Sequence, residues 1–186
     1  FSVSDVGSRL LRSVETVDGV EYQFKVINGK ARIENHSPSS SAIPSTTKGS
    51  LSIPSTLGGW SVTSIGNDAF YNCSSLTSVT IPSSVTSIGQ RAFSHCSSLM
   101  EINVSVDNNN YMSKNGLLLT KDGKTLIAGI NGAVTIPDSV TSIGSYAFRG
   151  CSSLTSVTIP SSVTSIGDDA FSGCSSLMSV TIPSSV

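Results

Sequence analysis

The sequence predicts an α/β repeat solenoid, a curved right-handed superhelix with a parallel concave sheet, a short second strand and one helical turn per 23-residue coil. Two observations support this fold class. The segments Leu76–Ser98 and Leu154–Ser176 are nearly identical 23-residue copies. Each copy starts with alternating apolar and polar residues, and its second half contains the motif Gly-x-x-Ala-Phe-x-x-Cys. A unit this short cannot bury its apolar side chains alone, so successive copies must stack.

Further copies extend the repeat in both directions. Leu51–Ser75 is a looser copy, Ala133–Ser153 is another, and Leu177–Val186 begins a last one. Cysteines 73, 96, 151 and 174 mark the same point of each copy, at intervals of 23, 55 and 23 residues. The middle interval indicates one repeat plus an insertion of 32 residues, since 55 − 23 = 32.

The first half of a coil predicts two strands. Val79 and Ile81 point to one face of the first strand because side chains alternate along a strand, and Pro82 ends it because proline donates no ladder hydrogen bond. Val85 and Ile88 mark a short second strand on another side of the coil. The glycine that follows is expected where the chain needs a positive φ or a sharp corner. It recurs as Gly66, Gly89, Gly144 and Gly167.

The second half of a coil predicts a helical turn. The position after the glycine holds Asn67, Gln90, Ser145 or Asp168, and three of these four are good helix N-caps. The residue before each cysteine is Asn72, His95, Gly150 or Gly173. These types tolerate the left-handed conformation, so we interpret this position as the helix C-terminus.

Stacking predicts the core and the curvature. Each phenylalanine of the repeat should pack on its copies in neighbouring coils; the set is Phe70, Phe93, Phe148 and Phe171. Strands stack at ~4.8 Å, whereas helices need ~8–10 Å, so the helical side should spread and the sheet side should be concave.

The pattern L-x-x-V-x-I-P-x-x-V-x-x-I-G-x-x-A-F-x-x-C-x-x, from about Leu51 to Val186, resembles the BspA-like leucine-rich repeats. The resemblance implies a leucine-rich-repeat solenoid in an extracellular or surface-attached bacterial or protist protein, often linked to adhesion or host-protein binding. It does not imply an enzyme.

Two domains are predicted: residues 1–50 as an N-terminal cap and residues 51–186 as the solenoid, with a hairpin insertion at about 104–133. In the cap, residues 20–33 alternate around Asn28-Gly29 and predict a β-hairpin, followed by a Ser/Pro-rich loop. Phe1–Ser13 either pairs with this hairpin or is disordered. In the insertion, residues 116–120 and 125–130 flank a second hairpin turn.

Both chain ends suggest a longer parent protein. Because the sequence begins with Phe1 rather than Met, we expect a processed or excised piece whose targeting segment has been removed. At the other end the chain stops in the middle of a coil, so either further repeats follow or the last strand frays.

Composition excludes several function classes. The formal net charge is −1, which argues against nucleic-acid or membrane-surface binding because both need a concentrated positive field. No apolar run is long enough for membrane insertion. No metal or cofactor motif is present, and no serine has a fixed histidine and aspartate partner, so we expect no cofactor and no enzyme. The cysteines either bridge neighbouring coils or, as we favour, are buried free thiols.

The remaining functional candidates lie on the surface. The sheet face should carry short hydroxyl side chains that Glu101 and Asn103 interrupt. Positions 68, 71, 91, 94, 146, 149, 169 and 172 vary between near-identical coils. The candidate partner-binding residues are Glu101, Asn103, Tyr111, Met112, Tyr146 and Arg149. We expect a monomeric adhesion module with a protein or glycan ligand, or alternatively a structural spacer that displays another domain.

Overall fold

The computed structural model describes residues 11–186, and within them every regular element is a β-strand. The prediction for Phe1–Ser13 falls mostly outside the described residues. In chain order the strands are β1 (Leu11–Val17), β2 (Val20–Ile27), β3 (Lys30–Ile33), β4 (Lys48–Ser52), β5 (Thr56–Leu57), β6 (Trp60–Ile65), β7 (Ser75–Ile81), β8 (Ser87–Ile88), β9 (Glu101–Val104), β10 (Tyr111–Lys114), β11 (Leu117–Thr120), β12 (Thr125–Ala128), β13 (Gly132–Thr135), β14 (Ser142–Ile143), β15 (Leu154–Thr158) and β16 (Ser165–Ile166).

Equivalent strands of successive coils pair in parallel, as the repeat requires. The first strands of the coils form two sheets, β4-β7-β9 and β13-β15. The second strands pair as β3-β6-β8 and as β12-β14-β16. The register is one repeat, with Val79 opposite Ile102 and Ser64 opposite Ser87. Identical side chains therefore stack in columns along the solenoid.

The sequence predicted one continuous concave sheet, but the sheets of the solenoid are interrupted. Pairing stops between β9 and β13 and again between β8 and β12, because the inserted strands β10 and β11 lie there. The backbone N–H of Ile102 in β9 donates to the carbonyl of Gly116 in the insertion, at 2.9 Å. Two stacks of regular coils thus flank one irregular coil.

The predicted helical turn is wrong: residues 11–186 contain no helix, and the Ala-Phe-x-x-Cys segments are chains of tight turns. We call these segments the arcs; they are residues 66–73, 89–96, 144–151 and 167–174. Two residues in each arc have a positive φ, which a right-handed helix does not tolerate. The first of them lies two residues after the glycine, at Asp68, Arg91, Tyr146 and Asp169, with φ between 52° and 63°. The second lies just before the cysteine, as the sequence predicted.

Alternate backbone amides of an arc bond to the next coil, which is the reason that a helix cannot form. In the last two coils the N–H groups of Tyr146, Phe148 and Gly150 donate to the carbonyls of residues 168, 170 and 172, at 2.7–2.8 Å. The first two coils repeat this three-bond ladder from residues 68, 70 and 72. The amides in between donate to the carbonyl three residues earlier and so close four-residue turns within their own arc. Arcs therefore stack at strand-like spacing. The predicted spreading of a helical side has no structural basis.

The arc glycines are needed for close approach between coils. Gly89 and Gly167 do not have a positive φ, contrary to one of the two reasons expected from the sequence. A Cβ added at Gly167 would lie 2.7 Å from the Cα of Ser145 in the neighbouring coil, and one at Gly89 would lie 2.7 Å from the carbonyl carbon of Gly66. The predicted N-cap side chains also act between coils, since Asn67 Oδ1 accepts the backbone N–H of Gln90 at 2.8 Å.

The N-terminal hairpin continues the stack. β2 and β3 pair antiparallel around Asn28-Gly29, and β3 then adds in parallel to β6 of the first coil. The N–H of Ala42 donates to the carbonyl of Ala69 at 2.6 Å, so the loop after β3 covers the first arc. A backbone that mimics a preceding coil thus satisfies the first edge of the solenoid.

The insertion holds three antiparallel strands. β11 and β12 pair across the turn at Lys121–Lys124, where the sequence predicted a hairpin. β10 was not predicted; it pairs with β11 through a turn at Asn115-Gly116, and both turn residues have a positive φ. The Asn-Gly dipeptide was the sequence signal for it.

The predicted stacking of phenylalanine rings is confirmed within each of the two stacks of coils, whereas the arc missing from the third coil divides the column into two pairs. Phe70 stacks on Phe93 with ring centroids 5.4 Å apart, and Phe148 stacks on Phe171 at 5.1 Å. The first three of these rings are buried, and Phe171 at the end of the column is partly exposed.

We expect Phe148→Ala to lower the free energy of unfolding by about 3–5 kcal/mol, because a buried ring leaves a cavity. Phe171→Ala should cost less, since its ring already contacts solvent. Urea unfolding of the two variants followed by tryptophan fluorescence measures this. Equal losses at both positions would contradict the stacked column.

Candidate functional site

The third coil lacks an arc, and this absence creates the largest irregularity of the solenoid. Residues 129–131 connect β12 directly to β13, whereas residues 144–153 connect β14 to β15 in the next coil. The arcs on either side meet at one end, where the N–H of His95 donates to the carbonyl of Arg149 at 3.1 Å. Between them lies a cavity of about 250 Å³, lined by residues 88–94, 127–128 and 144–147. We call this cavity the arc gap.

At the arc gap, main-chain groups that are hydrogen-bonded in the other coils have no hydrogen-bond partner. Among the described residues, the N–H groups of Arg91 and Phe93 have no acceptor, and the carbonyl of Ser145 has no donor. The hydroxyl of Ser94 lines the same cavity, is buried at 3% exposure and has no hydrogen-bond partner. Unpaired buried polar groups are costly, so this edge is able to take up a complementary ligand.

A cluster of arginine, tyrosine and aspartate side chains borders the arc gap. The guanidinium carbons of Arg91 and Arg149 lie 5.6 and 5.5 Å from the centroid of the Tyr146 ring. Arg91 also pairs with Asp68 at 2.8 Å, and Arg149 pairs with Asp169 at 2.6 Å. All five are variable positions of the repeat, and they come from four different arcs. Ion pairs and cation–π contacts hold the two arginines in fixed orientations at a partly exposed surface.

The structure places the six predicted binding residues in three locations. Tyr146 and Arg149 meet in this cluster. Glu101 and Asn103 lie on β9, where they continue the hydroxyl columns opposite Ser78 and Thr80. Tyr111 and Met112 lie on β10.

The hydroxyl of Tyr111 has a structural partner. Its oxygen accepts the backbone N–H of Ile88 at 3.0 Å, so it satisfies the open edge of β8. The partial burial of the Tyr111 side chain raises the pKa of its hydroxyl. The structure does not bring Tyr111 into the cluster around Tyr146.

Two buried asparagines were missed as structural residues by the sequence analysis. Asn108 is fully buried and donates to the carbonyls of Pro82 and Val85 at 3.0 and 2.9 Å. Asn131 donates to the carbonyls of Cys96 and Leu99 and accepts the N–H of Ser153. The only sequence signal for Asn108 was a polar residue where other coils hold a valine such as Val85, and Asn131 had no such signal. Asn131 thereby joins the two stacks of coils across the missing arc.

We expect Asn131→Ala to lower the free energy of unfolding by at least about 2 kcal/mol, because the N–H of Ser153 loses its acceptor and the carbonyls of Cys96 and Leu99 each lose one of two donors. The exposed Asn109→Ala is the matched control, with no expected change. Urea unfolding compares the two. A loss no larger than in the control would show that Asn131 does not join the stacks.

The four cysteines are free thiols, as favoured from the sequence, although the helix spreading given as the reason does not occur. The thiol of Cys96 donates to the carbonyl of Phe70 at 3.2 Å, and that of Cys174 donates to Phe148 at 3.1 Å. Burial raises the pKa of Cys73 to about 11 and that of Cys151 to about 12, and it raises the pKa of Cys96 and Cys174 as well. These neutral thiols, three of them buried and that of Cys174 partly buried, are unsuited to nucleophilic catalysis.

The free energy of unfolding should therefore fall as the pH rises. A thiol whose folded pKa lies above its ordinary value of 9.0 keeps its proton longer in the folded state, so stability is full below pH 9. It is lost between pH 9 and about 12 for Cys151. Urea unfolding between pH 7 and 11 measures the slope. Cys151→Ala should reduce this slope, and an unchanged slope would contradict the burial of this thiol.

No cluster of metal-ligating side chains occurs within residues 11–186. The same residues contain no helix long and apolar enough to cross a membrane. Asp107 and its asparagine neighbours do not form a ligand set, since the side chain of Asn108 is turned inward to the main chain.

Parallel stacked coils with a 23-residue register define a leucine-rich-repeat solenoid, here with arcs of turns. A family model described as BspA type leucine rich repeat region matches residues 45–117 and 131–186 with six copies. The chain belongs to this family, as the resemblance indicated. The unmatched residues 118–130 lie inside the insertion that ends at the arc gap. No curated protein matches the chain.

Several solved structures are similar to this chain, including two from Eubacterium ventriosum and Faecalibacterium prausnitzii. A leucine-rich repeat protein from Eubacterium ventriosum is 30% identical, covers 67% of this chain and 33% of its own, and has a TM-score of 0.55. A leucine rich cell surface protein from Faecalibacterium prausnitzii is 28% identical, covers 72% of this chain and 47% of its own, and has a TM-score of 0.53. The chain thus spans one third to one half of the length of these bacterial proteins.

Proposed function

We propose that the chain is a non-enzymatic binding module of a bacterial cell-surface protein and that it takes part in adhesion by holding a host or matrix protein. Surface location is supported by the similarity to the leucine rich cell surface protein from Faecalibacterium prausnitzii. The module works as a monomer in this proposal, without metal, cofactor or membrane insertion.

The observation that supports this function is the cluster around Tyr146. Its members are partly exposed, whereas most of the repeat surface consists of short hydroxyl side chains. Tyrosine and arginine are the residue types that dominate binding energy at protein interfaces. Arg91, Tyr146 and Arg149 are fixed against one another, so a ligand loses little free energy in ordering them.

The chemistry of the buried groups favours binding over catalysis. Cys96 and Cys151 are held as neutral thiols by burial, as described above. His95 lies against the Tyr71 ring, with centroids 5.2 Å apart in an edge-on arrangement, and its φ of 62° is the left-handed conformation expected for its position. Within residues 11–186 the His95 ring forms no ion pair with a carboxylate.

An array of immobilised matrix and serum proteins, with a glycan array in parallel, tests the proposal. We expect binding to proteins, and we expect Tyr146→Ala and Arg149→Ala each to weaken it about tenfold or more, because interface anchors typically contribute over 1 kcal/mol. Ser172→Ala is the matched control at the arc position equivalent to Arg149 and should leave binding unchanged.

Other outcomes would overturn the proposal. Absence of any bound ligand would favour the structural spacer. Binding to glycans alone would replace the protein ligand. Loss of binding in Glu101→Ala or Met112→Ala, but not in Tyr146→Ala, would move the site to β9 or β10.

A further inference from the structure

The arc gap is an interrupted hydrogen-bond ladder. Between the first two arcs, and between the last two, three N–H groups of one arc meet three carbonyls of the next. At the gap only His95 and Arg149 are paired in this way, and the carbonyl of Ala147 is met by Gly129. The other N–H groups, of Arg91 and Phe93, and the carbonyl of Ser145 face an empty position of the ladder.

The walls of the gap allow a backbone to approach closely. Glycine and alanine make up much of both walls, with Gly89 and Ala92 on one side and Gly144 and Ala147 on the other. The missing element is one arc, and neighbouring extended chains lie ~4.8 Å apart. The arcs are already paired at His95 and Arg149, so the gap is open only at the end near Arg91 and Ser145, where walls of small residues admit the main chain of a short extended segment.

A second, independent feature marks the gap as a binding site. The hydroxyl of Ser94 is buried without a partner, although the equivalent Ser172 of the last arc is exposed to solvent. Buried hydroxyls are nearly always hydrogen-bonded in folded proteins. A ligand in the gap would supply the partner that this hydroxyl lacks.

We infer that the arc gap binds an extended segment of the partner protein, which completes the ladder between the second and fourth coils. Two carbonyls of the segment accept the N–H groups of Arg91 and Phe93, and one of its N–H groups donates to Ser145. Recognition is by main-chain pairing, with small side chains facing the walls. Arg91 and Tyr146 belong to both the gap and the cluster, so this inference rests on the proposed function and specifies its site.

Selection from a phage-displayed library of seven-residue peptides tests the inference, since the library is a probe of unbiased sequence. Ile127 lines the floor of the gap and is partly exposed, so Ile127→Trp should fill it. Thr125→Trp is the matched control, two residues earlier on the same face of β12 and outside the cavity lining.

We expect selected peptides to bind the unaltered chain with micromolar affinity, to bind Ile127→Trp at least tenfold more weakly, and to bind Thr125→Trp equally well. Ser94→Ala should weaken binding about three- to tenfold while Ser172→Ala does not. Ser94 has no bond to lose in the free protein, so this pair of variants stays informative if Ile127→Trp does not fold.

Failure of this inference can be told from failure of the proposed function. Peptides that bind Ile127→Trp and Ser94→Ala as well as the unaltered chain would overturn the inference, and so would a library that yields no binders. A matrix-protein ligand that is lost in Tyr146→Ala but retained in Ile127→Trp would leave the proposed function standing and remove the gap as its site.

Discussion

The whole structure depends on hydrogen bonds that run from every second amide of an arc to the next coil. This pairing uses amides that a helix would spend on itself, so each arc folds as turns with two left-handed residues. The same pairing brings neighbouring arcs to strand spacing, which explains why glycine is needed at Gly89 and Gly167. An arc is therefore stable only beside another arc. Whether its alternate amides are hydrogen-bonded depends on the presence of the next arc.

The irregular third coil shows what happens when a neighbour is missing. Its short connection at residues 129–131 leaves out one arc, and Asn131 and Gly129 satisfy only part of the exposed edges. The unpaired groups of Arg91 and Phe93 are a direct consequence. A solenoid otherwise covered by short hydroxyl side chains thus acquires one place where main-chain groups, a buried hydroxyl and fixed arginines lie together. The proposed binding site and the irregular coil therefore coincide for a physical reason.

The repeat made much of the fold predictable, because its period, its strand alternation and its phenylalanine column are each visible in one coil. The left-handed positions before the cysteines were also readable from Asn72 and His95. The helix prediction failed at the other left-handed position, where Arg91 and Tyr146 have no residue-type preference for a positive φ. Tyr146 and Arg149 were candidates because they vary between coils, and the structure brings these two side chains into contact. The arc gap was not, since it depends on a missing segment and on pairing between distant coils.

Amide hydrogen exchange at Phe70, Phe93 and Phe148 tests the central claim most directly, because the three residues have the same position in their arcs and different neighbours. Phe70 and Phe148 donate to the next coil at 2.8 and 2.7 Å, whereas Phe93 has no acceptor among the described residues. We predict that the Phe93 amide exchanges at least about 100-fold faster than the other two. Equal protection of all three would mean that each arc bonds within itself, as a helix does, and would contradict the account.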